Sequence, residues 1–195
     1  IMKYLLFLGI FLFLFPNLIA QIPPEFAVSN VGIDDRLLSE VDTDQNGNFV
    51  VVWERETGTD YDILGLRYNS NGTALGSIFT IENSSNGYAA IAVHNSGNFV
   101  VTWTGVNSQG IYARRYDSNG NPLGADFRVD TEFLLGNDFE ESKPDIAMDQ
   151  NGNFVIVWEM VNSITSDYSI QAQRFDDTGT KVGTQFAANT HTLGV

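Results

Sequence analysis

The chain has 195 residues, 24 acidic and 10 basic, for a net charge of −14, and it contains no cysteine. Such acidity repels phosphate backbones and argues against nucleic-acid binding. The missing cysteines exclude disulfides, thiolate zinc sites and a lipid-anchored cysteine, and the length suits one domain with a real core.

Residues 1–20 read as a secretory signal. Lys3 precedes an apolar run over 4–15, Pro16 and Asn17 break it, and the small Ala20 sits where cleavage is expected. The run is short of the about 20 residues a membrane-spanning helix needs. Leu18 is larger than usual for its place, which keeps an uncleaved anchor as the alternative. Cleavage leaves 21–195 with 9 basic and 24 acidic residues, a net charge of −15. The expectation is a secreted or cell-surface protein with no membrane insertion after cleavage. Export without disulfides suits a bacterial source.

GNFVVVW at 47–53 returns as GNFVVTW at 97–103 and GNFVIVW at 152–158. A period of 50 to 55 residues is the mark of a modular architecture. The repeats span about 39–82, 89–130 and 144–189 within a repeat domain at 21–195. Strand A is predicted at 39–42, 90–93 and 145–148. Asn46-Gly47, Ser96-Gly97 and Asn151-Gly152 then turn the chain into strand B, since Asn and Gly tolerate positive φ. Strand C is predicted at 63–68, 111–116 and 170–175. Turns carrying Gly72, Gly120 and Gly179 lead to a strand D ending near Phe79, Phe127 and Phe186.

In strand B, Phe49, Val51 and Trp53 alternate with Val50 and Val52, so both faces are apolar and both must be covered. Four-stranded units stacked face to face meet that need, whereas one unit alone does not. The fold expected is all-β, a β-propeller-like array of four-stranded antiparallel blades. Residues 24–28 look like an orphan D strand, the piece that closes a ring. The 189–195 connector stops where a fourth strand A is expected, and three blades fall below the usual four to eight. The sequence therefore reads as part of a longer array. Two immunoglobulin-like sandwiches would lack the strict period, while an open stack of the same units stays possible.

The run NGNFVVVW, followed in the second copy by IYARRYDSNGNPLGADFRV at 111–129, resembles the propeller-type repeats of large secreted bacterial proteins. The resemblance covers 26–189. It implies a repeat class rather than a function, because such repeats serve many roles.

Comparison of the copies places the variation. Spacing from strand A to B and from strand C to D is constant, whereas the B–C connections (54–62, 104–110 and 159–169) and the D–A connections vary in length. These loops emerge on one side of an up-and-down blade, and variable loops on a rigid frame are where binding residues concentrate. That face carries Asp60, Tyr61 and Asp62, with Asp167 and Tyr168 in matching places. The 128–145 segment adds Asp130, Glu132, Asp138, Glu140 and Glu141. Tyrosines beside carboxylates suit a sugar, by ring stacking and hydroxyl hydrogen bonds. A solvated acidic rim is the simpler reading.

Asp42, Asp44 and Asn46, with Gly47, match the first half of a calcium loop. Trp53, however, stands where a bidentate Glu belongs, and the other copies lose the ligands. Calcium is the sole cofactor the sequence suggests. Arg67, Arg115 and Arg174 repeat once per unit and read as packing residues, expected to stack on Trp53, Trp103 or Trp158. Neither His94 nor His191 is paired with a nucleophile, so catalysis has thin support. The expected function is non-enzymatic binding or scaffolding, such as adhesion, with a glycan or protein partner at the cell surface. The alternatives are a glycan-acting hydrolase or lyase and a structural spacer.

Overall fold

The computed structural model describes residues 36–106, 110–131, 139–162 and 164–189. The signal segment, the orphan strand at 24–28, Glu132, Asp138 and His191 lie outside the described residues, as does the Glu140 side chain. Within them the chain forms twelve strands in three four-stranded antiparallel sheets. Blade 1 holds β1 (Arg36–Thr43), β2 (Phe49–Glu56), β3 (Tyr61–Tyr68) and β4 (Phe79–Ser85). Blade 2 holds β5 (Gly87–Val93), β6 (Phe99–Thr104), β7 (Ile111–Tyr116) and β8 (Phe127–Arg128). Blade 3 holds β9 (Phe139–Met148), β10 (Phe154–Asn162), β11 (Tyr168–Phe175) and β12 (Lys181–Ala187). Each sheet pairs its strands in chain order, so the fold is the β-propeller-like array that the period predicts.

One local device recurs at the turns. Asp44 Oδ1 accepts from the amides of Asn46 and Asn48 at 2.8 and 2.9 Å, and Asp149 does the same with Asn151 and Asn153. Asp117 and Asp176 repeat it in the C–D connection. A side chain thus supplies the acceptor that the tight turn lacks, and Gly47, Gly120, Gly152 and Gly179 take the positive φ that follows. Strand A carries a second repeated feature. Leu38, Tyr88 and Lys143 occupy equivalent positions with φ of 36°, 54° and 52°, each beside a register shift that bends the strand.

Strand D differs from expectation in blades 1 and 2, whereas in blade 3 β12 ends at Ala187, next to Phe186. β4 and β8 begin, rather than end, at Phe79 and Phe127. The C–D connection first folds back on strand C through the isolated bridges Tyr68 to Ala74 and Tyr116 to Pro122, and pairing resumes only afterwards. Phe79, Phe127 and Phe186 lie opposite Gly65, Ala113 and Ala172. These small residues leave room for the rings, and the Phe79 ring comes within 2.7 Å of where a Gly65 Cβ would stand.

The blades stack with a direction. Phe99, Val101 and Trp103 face blade 1 and pack with its Val50, Val52, Ile63 and Ile81. Phe154, Ile156 and Trp158 face blade 2 and pack with its Ala92, Val100, Ile111 and Ala113. The Phe-x-Val-x-Trp side of strand B therefore turns to the preceding blade, and the alternate residues turn to the next. Burying each such side chain is worth about 1.5–3 kcal/mol, so these two interfaces form two of the core clusters, and Val51, Trp53, Leu64, Leu66 and Tyr68 form a third on the other face of blade 1.

Two of the three repeated arginines, Arg67 and Arg115, pack, but not on tryptophan, and Arg174 is exposed. Arg67 donates to the Asn119 carbonyl, and Arg115 donates to the carbonyls of Asp177, at 2.7 Å, and Thr178. Each reaches the C–D turn of the following blade. Strand alternation explains the correction: Arg115 sits opposite Val100, on the side away from Trp103. Its neighbour Arg114 is the residue over the Trp103 ring, 5.8 Å from its centroid.

Candidate functional site

Strand order puts the B–C and D–A connections at one end of every blade, as the spacing implies. At that end a cleft of about 250 Å³ opens between blades 1 and 2, lined in part by Glu82, Ser84, Trp103, Val106, Tyr112 and Asp126. Trp103 and Tyr112 are cross-strand partners whose rings stack at 6.5 Å and 22°. Trp103 is fully buried, so Tyr112 is the aromatic surface within reach.

Arg114 organises the charges beside these rings. Its guanidinium donates to the Ile81 carbonyl at 2.6 Å and lies 3.2 Å from Asp126 and 3.8 Å from Glu82. One cation thus holds two carboxylates from adjacent blades, each of which keeps free lone pairs as hydrogen-bond acceptors. The result is a half-buried ring beside fixed acceptors, in a concave site between rigid sheets.

Of the residues singled out in the sequence, two support this cleft from behind. Asp62 is buried, paired with Arg55 at 2.5 Å, and accepts from the Ser84 amide at 3.3 Å. The Tyr61 carbonyl accepts from the Ser85 hydroxyl at 2.8 Å. Both shape the D–A corner at the rim. Asp60 lies in the neighbouring turn, where its carbonyl accepts from the Thr57 amide at 2.8 Å. Asp167 and the exposed Tyr168 sit at the same end of blade 3. No described contact joins them to the blade 1 residues.

The half calcium loop is an ordinary turn in its geometry. Asp42 accepts from the amides of Thr43 and Val93, and the second Asp44 oxygen accepts from the Asn48 side chain at 2.7 Å. Among the described residues no group of three or more His, Asp or Glu side chains is placed to hold a metal ion.

A further pair of acids is sealed between blades 2 and 3. Asp130 accepts from the Ile111 amide at 2.8 Å and pairs with Arg128 at 2.7 Å. Glu141 accepts from the Trp158 indole at 3.1 Å. Burial, aided by the Asp130 charge, pushes the Glu141 carboxyl up to about 7. With Asp130 at 2% and Glu141 at 5% exposure, the pair is a structural element.

Loop lengths do not single out Glu82, Tyr112, Arg114 or Asp126. The copies did carry the signal. Where blade 2 has Tyr112 and Arg114, blade 1 has Leu64 and Leu66, and blade 3 has Gln171 and Gln173.

No family model matches the chain, and no curated protein resembles it in sequence. Among solved structures it is similar to an N-acetylgalactosamine deacetylase from F. plautii in complex with blood group B trisaccharide. That alignment has a TM-score of 0.51 at 10% identity and covers 77% of this chain and 52% of the other. An endo-arabinase from Bacteroides thetaiotaomicron gives a TM-score of 0.47 at 13% identity, covering 78% and 61%. An endo-1,4-beta-xylanase from the same organism gives 0.48 at 13%, covering 75% and 58%. The chain spans about half to three-fifths of the length of these proteins. At such identity the likeness establishes fold alone.

Proposed function

We propose that this chain is the glycan-recognising propeller of a glycan-acting protein, exported to the cell surface or beyond, and that the cleft between blades 1 and 2 holds the sugar. The observation that carries the reading is Tyr112, half-buried against Trp103, beside the two carboxylates held by Arg114. A sugar ring presents an apolar C–H face to an aromatic ring and hydroxyls to acceptors, and this site offers both at fixed places. The acidic surface favours neutral or amino sugars over uronic acids. Solved proteins with a similar arrangement of strands carry names that concern glycans, which supports a glycan-acting protein over a purely non-enzymatic scaffold.

The test is binding to a glycan array, with release of reducing ends or acetate measured on the glycans retained. Tyr112→Ala, and Glu82→Gln combined with Asp126→Asn, should each abolish retention while far-UV circular dichroism is unchanged. Retention that survives both variants would remove this cleft from consideration. Retention without product release would favour a binding module.

A further inference from the structure

The side of blade 3 that turns away from blade 2 repeats the surface by which each earlier blade holds its successor. Val50 and Val52 in blade 1, and Val100 and Thr102 in blade 2, are 0–4% exposed at those interfaces. Their counterparts Val155 and Val157 are only half-buried, and Ala147 is exposed where Ala92 is buried. The uncovered surface forms an open concavity of about 570 Å³ lined on that side by Ala147, Val155, Arg174 and Val182.

Polar groups stand at both ends of this surface, and their counterparts already show what they hold. Arg67 lies against Gly120 and Arg115 against Gly179, each donating to carbonyls of the following blade's Asp-x-x-Gly turn. Arg174, at the same position, is exposed, and among the described residues no such turn lies against it. At the opposite end Glu54 is buried in the strand A bulge of blade 2, accepting from the Ala89 amide at 3.3 Å beside Gly87. Its counterpart Glu159 instead pairs with Lys143 of its own blade at 2.9 Å.

We propose that this face docks a further unit of the same repeat. That unit would bring turn carbonyls to Arg174, bulge amides to Glu159 and a Phe-x-Val-x-Trp face to Val155 and Val157. The complementarity is specific: a cation meets carbonyls at one end, a carboxylate meets amides at the other, and apolar surface lies between. A second copy of this chain fits less well, because the matching face of its blade 1 already has Val51 and Trp53 buried.

The absence of cysteine makes a direct test possible. Val155→Cys is introduced into the full chain and into the full chain extended by a second copy of residues 129–189. Maleimide labelling should be fast in the first and roughly tenfold or more slower in the second. Arg174→Ala should leave the melting temperature of the unextended chain unchanged. It should lower that of the extended protein by about 3–10 °C, the scale of lost charged hydrogen bonds. Equal labelling in both proteins would overturn the proposal, whether the added unit folds apart or not at all. Slow labelling of the unextended chain at a dimeric mass would overturn it in favour of a second copy.

Discussion

Glu141 lies between the Trp158 indole and the Asp130 carboxylate, and this position gives stability a pH dependence of definite sign. Its folded value, about 7, is above the ordinary 4.5. The folded state therefore keeps a proton that the unfolded chain has lost. Its contribution is whole below pH 4.5 and is lost as pH rises through 7. We expect the urea midpoint to fall between those values, by no more than about 3 kcal/mol in stability. Glu141→Gln should remove most of that slope. What remains belongs to Glu54, which burial also raises. The turn aspartates act in the opposite sense. Asp117, Asp149 and Asp176 are lowered, first by side-chain hydrogen bonds from Asn121, Asn153 and Thr178. Their contribution is present above pH 3.8 and disappears as pH falls through their folded values. A Glu141→Gln protein with the full alkaline slope would show that the buried acid pair is not its source.

Among the elements, the Asp-x-x-Gly turn is the one most fully legible in the sequence. Asn-Gly and the constant A-to-B spacing placed it, because a hairpin of fixed length leaves the chain few ways to reverse. The same residues suggested calcium, and the hydrogen bonds favour a different role. Asp44 accepts from two amides and from the Asn48 side chain, which engages the oxygens a cation would need. Asp44→Ala should therefore cost about 1–3 kcal/mol, and neither calcium nor a chelator should move the melting temperature of the parent. A rise with calcium that vanishes in the variant would restore the metal reading. Strand D and the arginines were less legible, for a physical reason. Spacing reports how far apart residues are along the chain. It does not tell whether a connection first folds back on its own strand, as Leu75 does on Arg67. Nor does it tell which neighbouring blade a long side chain reaches.

In the whole molecule, stacking decides which surfaces are core and which are open to ligands. Apolar residues on both faces of strand B announced blades covered on two sides, and blade 2 fulfils this most completely: every residue of β6 is buried. The cleft was harder to read because it is made where blades meet. Glu82 comes from one sheet, Tyr112 and Asp126 from the next, and no spacing within a repeat brings them together. In stacked repeats, stability is the sum of each unit and its neighbouring interfaces. A blade covered on both faces should then open least often. Among the described residues blade 3 has one interface, and β12 is mostly exposed. We therefore expect native-state hydrogen exchange to rank the strands, with the amides of β6 slowest, those of β10 faster and those of β12 fastest. Val101→Ala, in the first interface, should speed exchange in β2 and β6 and leave β11 nearly unchanged. Ile156→Ala should do so in β6 and β10 while sparing β3. Uniform acceleration across all three sheets by either variant would mean that the blades open as one cooperative body, with no nearest-neighbour hierarchy.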